Sequence, residues 1–144
     1  MTFVAAGGEA DRVELTAGMA AITVAADWID AWARAHGLDA DSAFAMRLCV
    51  EEAVTNIVFY AYDDDPGRHL VTVAAAAQPG GARVTIVDDG RPFDVAAARD
   101  RGREGTIETA TIGGRGIRLM RKFSEGLSHA RTDGRNVLSL TFGG

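Results

Sequence analysis

Glu52 and Asn56 are the residues whose types and spacing point most directly to chemistry. They lie in the run Asp41–Tyr62, where Met46, Val50, Ala53, Val54, Ile57, Val58 and Ala61 fall on one broad arc at about 100° per residue, the pattern of a helix lying against a sheet. Spaced i to i+4, the two side chains stack one turn above the other at the edge of that arc, and Glu51 points away toward solvent. Packing alone does not ask for a carboxylate and a carboxamide at the rim of a buried face. An isolated E-x-x-x-N also recurs by chance, as a half-buried acid beside an ordinary polar neighbour, so its weight depends on what lies downstream.

Two later segments supply that weight. Asp88-Asp-Gly-Arg-Pro-Phe-Asp94 ends an apolar strand-like run. A carboxylate at a strand terminus can accept the exocyclic amino proton of adenine, and Gly90 removes the side chain that would keep a flat ring off the backbone; taken alone the segment is also a tight turn. Gly113-Gly-Arg-Gly116 then stands immediately before a helical pattern, where glycines let the backbone approach phosphate oxygens and the free N–H groups of a helix start favour negative charge. It is not a P-loop, because no G-x-x-x-x-G-K-[ST] occurs, and the unit before it does not read as a dinucleotide-binding βαβ.

The elements that must position these residues follow from periodicity. Residues 1–10 are small and Gly-containing and read as a loosely held lead-in, and Arg12–Thr16 alternates as a first strand. Ala17 to His36 carries Ile22, Ala25, Ala26, Ile29 and Ala33 at helical spacing, with Gly37 as a stop. Trp28 and Trp32 on that helix suggest packing rather than a stacking platform for a base. Asp39 or Asp41 can cap the central helix, and Asp63-Asp-Asp-Pro-Gly67 ends it as a solvated turn that lacks the alternating oxygen ligands of a calcium loop. Strands 69–76 and 82–88 pair across Gln78-Pro-Gly-Gly81; residues 95–112 have weak periodicity; a short helix at 117–124 and strands 126–131 and 136–142 close the chain. His36, His69 and His129 are scattered without an acidic partner pattern and read as surface or turn residues.

Composition limits the function classes. The 144 residues, 47% hydrophobic and 24% charged, suit one globular domain with a single core. A formal net charge of -5 argues against a surface built to neutralise a nucleic-acid backbone. The lone Cys49 can form no internal disulfide and belongs to no zinc-ligand spacing, so a reduced cytoplasm fits. The first residues lack the cationic start and apolar run of a signal peptide, and no membrane span is indicated.

In order and spacing, E-A-V-T-N, D-D-G-R-P-F-D and G-G-R-G-I resemble the N, G1 and G2 boxes of the GHKL ATPase superfamily, and most nearly those of the bacterial anti-sigma factor serine/threonine kinases, over roughly residues 11 to 142. The resemblance implies a single histidine kinase-like ATP-binding domain over residues 1–144. Its fold would be α+β, a two-layer sandwich of the Bergerat type: a mixed, largely antiparallel sheet with helices packed on one face and an ATP lid over residues 95–112. It also implies ATP and Mg2+ as ligands, with Asn56 on the metal and Glu52 as general base. Asp88 and Gly90 would hold adenine and Gly114 and Gly116 would approach the phosphates, with Phe93, Gly113, Arg115 and Ile117 completing the nucleotide-binding set. Pro92 stands where many superfamily members carry a second glycine, and Ile112 stands where sporulation-type kinases carry an arginine near the γ-phosphate, a role that leaves Arg103, Arg115 or Arg118 as substitutes.

The implied function is phosphorylation of a STAS-type anti-sigma antagonist on serine or threonine, alternating with sequestration of a sigma factor in a partner switch; a homodimer is what the family suggests. Two alternatives remain at this point. One is a nucleotide-responsive binding module that transfers no phosphate. The other is a stand-alone ATP-binding half of a histidine kinase, for which this sequence supplies no helical hairpin with a phosphoacceptor histidine.

Overall fold

In the computed structural model, residues 2–5, 8–92 and 115–143 are described. Strands β1 (Thr2–Ala5) and β2 (Gly8–Thr16) are followed by helices α1 (Met19–Ala35) and α2 (Ala40–Tyr60), a 3-10 turn at Pro66–Arg68, and strands β3 (Leu70–Gln78) and β4 (Gly81–Asp88). Helix α3 (Arg115–Phe123) and strands β5 (Gly126–Thr132) and β6 (Arg135–Gly143) complete the chain. The strands form one sheet in the order β1-β2-β3-β4-β6-β5, antiparallel at every described pairing. The helices cover one face of it, as the two-layer expectation requires.

The opening residues differ from the sequence reading. They are a β-hairpin rather than a loose lead-in, with Ala5 paired to Gly8 and Thr2 to Asp11. Thr2, Phe3 and Val4 have high strand propensity, and pairing along the edge of β2, itself held on β3, carries the hairpin through the weaker formers Ala5 and Gly8.

The core reflects two periodicities meeting. On β4, Ala82, Val84, Ile86 and Asp88 are buried while the residues between them are partly exposed, and β6 sends Leu140 and Phe142 to the same side. Against this face lie Met46, Val50, Ala53, Val54, Ile57 and Val58 of α2, all buried as their spacing predicts. Burying side chains of this size contributes about 1.5–3 kcal/mol each for the larger ones, enough to fix which edge of α2 faces the sheet. Ile29, Trp32 and Ala33 pack α1 beside α2, and Ile117 and Met120 pack α3 on its other flank. Trp32 is a core residue: its indole N–H donates to Asp11 Oδ2 at 2.9 Å and its ring stacks on His36 at 4.0 Å, while Trp28 packs partly buried beside it.

Helix α2 has defined ends. Asp39 Oδ1 accepts the Ser42 N–H at 2.7 Å, satisfying one of the donors a helix start leaves free. At the other end Pro66 opens the 3-10 turn, and Asp65 Oδ1 accepts the Gly67 N–H at 2.9 Å. No helix among the described residues is long and apolar enough to cross a membrane.

Candidate functional site

Glu52 and Asn56 are half-buried at the edge of the α2 stripe, and Glu51 is exposed, as the helical spacing predicts. What faces them is the start of α3. A Cβ built on Gly116 would stand 2.9 Å from Asn56 Nδ2 and 3.3 Å from Glu52 Oε2, so glycine lets this backbone approach both side-chain ends without displacing them. The first turn of α3 therefore presents its N-terminal end, where backbone N–H groups lack helical acceptors, beside a carboxylate and a carboxamide. Asn56 Nδ2 is buried with no hydrogen-bond partner among the described residues. Buried polar groups in folded proteins are ordinarily partnered, so an amide left in this state beside a helix start fits a bound group that supplies the partner. Below this edge, Cys49 is fully buried, and its thiol is pushed up to about 12 by burial and by the charge of Glu52, which keeps it neutral.

The G1-like segment docks five residues further along the same helix. Arg91 N–H donates to the Ala61 carbonyl at 2.8 Å, and a Cβ on Gly90 would stand 2.5 Å from both the Ala61 Cβ and its carbonyl oxygen. At about 1.5 Å of rise per residue, Ala61 lies roughly 7–8 Å beyond Asn56 along α2, so Gly116 and Gly90 meet one helix within the reach of a single nucleotide.

Alternation on β4 explains why Asp88 faces inward. It follows Val84 and Ile86 on the same face and is 6% exposed. Its Oδ1 accepts the Gly90 N–H at 2.8 Å and Asn136 Nδ2 at 2.9 Å, and the same Nδ2 donates to the Arg91 carbonyl at 2.8 Å. Burial raises the Asp88 pKa above the ordinary carboxylate range, partly offset by these two donors. Arg131 Nη1 donates to the Gly90 carbonyl at 2.7 Å. Asn136 and Arg131 were not singled out by the sequence. Their signal is the register that sets Asp88 opposite Asn136 and Asn136 opposite Arg131, and single-sequence reading does not give it.

His69 corrects the expectation that the histidines lack acidic partners. Its Nε2 lies 2.7 Å from Asp64 Oδ1 and its Nδ1 3.1 Å from Asp89 Oδ1, and its ring stacks on Tyr62 at 4.0 Å. His36 also stands 3.9 Å from Asp11. Asp89 and Asp11 come from distant parts of the chain, and Asp64, five residues before His69, is brought back to it by the 3-10 turn, so local spacing does not show the pairings. With a carboxylate at each ring nitrogen, the doubly protonated imidazolium is favoured and the His69 pKa is raised, first by Asp64; Asp64 is in turn lowered by His69. The sign follows from linkage: the stabilisation is fully present below the unfolded histidine value of about 6.5 and is lost as pH rises through the higher folded value. The melting temperature of the unaltered chain relative to His69→Gln should accordingly decline over that interval; a constant difference from pH 6 to 9 would refute the charged bridge.

Among the predicted site residues, Glu52, Asn56 and Gly116 are brought together, and Asp88 and Gly90 flank the far end of α2. The Ile117 side chain is fully buried in the core, so contact with a ligand would fall to its backbone. Phe93, Gly113 and Gly114 lie outside the described residues, as do Ile112, Arg103 and the expected lid at 95–112; Arg115 is described only as the first residue of α3.

Residues 15–142 match the histidine kinase-like ATPase domain. The serine/threonine-protein kinase BtrW of Bordetella bronchiseptica is 33% identical over 133 residues, 91% of this chain and 92% of BtrW. Among solved structures, the RsbU and RsbW domains of Rv1364c from Mycobacterium tuberculosis superpose with a TM-score of 0.65 at 18% identity, covering 92% of this chain and 32% of that one. The SiaB-SiaC complex of Pseudomonas aeruginosa gives a TM-score of 0.59 at 19% identity, covering 92% of this chain and 88% of the matched chain. At these identities the two structures support the fold.

Proposed function

This chain belongs to the histidine kinase-like ATPase domain family, and we propose that it is a Mg-ATP-dependent serine/threonine kinase that also serves as an anti-sigma factor. Its phosphoacceptor would be a STAS-type anti-sigma antagonist and its sequestered partner a sigma factor, with exchange between the two in a reduced cytoplasm. The observation that carries this reading is the approach of Gly116 to Asn56 and Glu52, which sets a helix N-terminus, an amide and a carboxylate around one point.

Asn56 is the residue that would hold Mg2+ through its amide oxygen, alongside waters and phosphate oxygens. The ion, when bound, draws charge from the phosphate oxygens. Glu52 accepts the proton of the incoming hydroxyl as that oxygen bonds to the γ-phosphorus; the bond from γ-phosphorus to the bridging oxygen breaks, and ADP leaves with its electron pair. The N–H groups at the start of α3 receive the phosphates, and Asp88 accepts from the adenine amino group. A family kinase, BtrW, supports the transfer reading over mere nucleotide binding.

Incubation with radiolabelled ATP, Mg2+ and a recombinant STAS-domain antagonist tests it. Acid-stable label on the antagonist is the expected result. Stable binding without label would make the chain a nucleotide-responsive binding module, and acid-labile label would make it the ATP-binding half of a histidine kinase. Beforehand, Mg-ATP at about 100 times its dissociation constant should add about 2.7 kcal/mol of stability, on the order of 5–10 °C in melting temperature, and GTP should not.

A further inference from the structure

Asp88, Asn136 and Arg131 stand side by side on β4, β6 and β5, each the cross-strand partner of the next. This row closes the sheet at the end where the chain turns through Asp89, Gly90 and Arg91. Among the described residues four bonds tie the row together or to that turn: Asn136 Nδ2 to Asp88 Oδ1, Asn136 Nδ2 to the Arg91 carbonyl, Arg131 Nη1 to the Gly90 carbonyl, and the Gly90 N–H to Asp88 Oδ1. Asn136 is 3% exposed, so an unmet amide donor there would be costly, and these acceptors fix the amide orientation: only a nitrogen can donate to a carboxylate and a carbonyl at once.

The consequence falls on Asp88. Its carboxylate has two oxygens, and Oδ1 already accepts from both the Gly90 N–H and Asn136. Among the described residues Oδ2 accepts from none. A buried carboxylate bound by one donor can rotate, which turns its second oxygen away from an incoming amine, or take a proton, which leaves only a weaker, neutral acceptor. With Oδ1 held from two directions, one orientation and the ionised form are both favoured.

We propose that Asn136 is a positioning residue for base recognition, holding Asp88 so that its second carboxylate oxygen meets the exocyclic amine of an adenine nucleotide. The inference rests on the nucleotide-binding reading above and adds to it the residue that sets base selectivity. Asn136 itself touches no reacting atom. Truncation acts through Asp88: the ring is still enclosed, but the acceptor facing its amino group is no longer fixed.

The test compares Mg-ATP with the magnesium complex of purine riboside triphosphate, which lacks only the 6-amino group. Titration calorimetry on the intact chain should give a preference for ATP on the order of 10–100-fold, the worth of one hydrogen bond to a charged acceptor. In Asn136→Ala the preference should fall to a few-fold, with the affinity for purine riboside triphosphate nearly unchanged. General damage to the fold would lower both affinities together, so an unchanged ratio in Asn136→Ala overturns the proposal whatever the absolute values. If Asn136→Ala does not fold, Asn136→Ser, which removes the amide and keeps a small polar group, carries the same comparison. The two levels separate cleanly. A ratio near one in the unaltered chain overturns the adenine reading of Asp88 and this inference with it; a normal ratio there that survives substitution overturns the inference alone.

Discussion

Glu52→Ala should bind Mg-ATP with close to unaltered affinity and lose phosphoryl transfer by about 10²–10⁴-fold, the usual worth of a positioned general base. Asn56→Ala should lose both binding and transfer. The two residues sit one turn apart under the same glycine, with Oε2 and Nδ2 at 3.3 and 2.9 Å from the place a Gly116 Cβ would occupy, so crude steric damage should affect them alike. Their chemistry differs. A carboxylate beside the phosphates contributes little to holding a polyanion and matters when a hydroxyl proton must leave. In the proposed roles the amide would supply a neutral oxygen to a hard cation that in turn would hold the phosphates. Calorimetry with Mg-ATP and single-turnover transfer to the antagonist separate the two effects, and Glu52→Gln, which keeps the shape and removes the base, should follow Glu52→Ala. An equal loss of nucleotide affinity in the Glu52 and Asn56 variants would end this assignment of roles.

The features legible in the sequence are those set by local period. The α2 stripe from Met46 to Val58 could be read residue by residue because a helix repeats its exposure every turn, and the same arithmetic placed Glu52 and Asn56 at its rim. Two-residue alternation on β4 likewise runs through Val84 and Ile86 to Asp88, which is why a charged residue could be expected on the inner face. Asn136 was invisible for the opposite reason. It stands near the start of β6, whose apolar alternation shows only from Leu138 onward, and its proposed role depends on a partner 48 residues earlier. Register across a sheet is decided by every pair in the ladder together, so one polar residue at the end of a strand carries no signal of which acid it will face. His69 was misread similarly, since Asp89 approaches it from 20 residues away. The β1–β2 hairpin follows propensity at Thr2, Phe3 and Val4, and only at the weak strand formers Ala5 and Gly8 does it depend on context, with β2 already held by β3 on its other side.

Gly90→Ala is expected to disable adenine binding and to lower the melting temperature on the order of 5–10 °C, because the added carbon has nowhere to go. Its position would be 2.5 Å from the Ala61 Cβ and 2.5 Å from the Ala61 carbonyl oxygen. A side-chain end could swing aside, but this oxygen belongs to the backbone that closes α2 and accepts the Arg91 N–H at 2.8 Å. Relief therefore requires the turn to lift from the helix, which breaks that bond and draws Gly90 away from Arg131 and from Asp88 Oδ1. Overpacking of this kind typically costs about 1–3 kcal/mol and each lost hydrogen bond about 1 kcal/mol. Gly116→Ala provides the contrast. Its nearest neighbours would be the ends of the Asn56 and Glu52 side chains, which can shift by tenths of an ångström, so the fold should keep most of its stability while the phosphate end of the site is obstructed. Adding Ala61→Gly to Gly90→Ala should restore only part of the loss, since it removes the methyl and leaves the carbonyl in place. Differential scanning calorimetry with and without Mg-ATP measures each term. If Gly90→Ala melts and binds like the unaltered chain, the G1 turn does not rest on the end of α2, and the single-nucleotide span drawn from Asn56 to Ala61 fails with it.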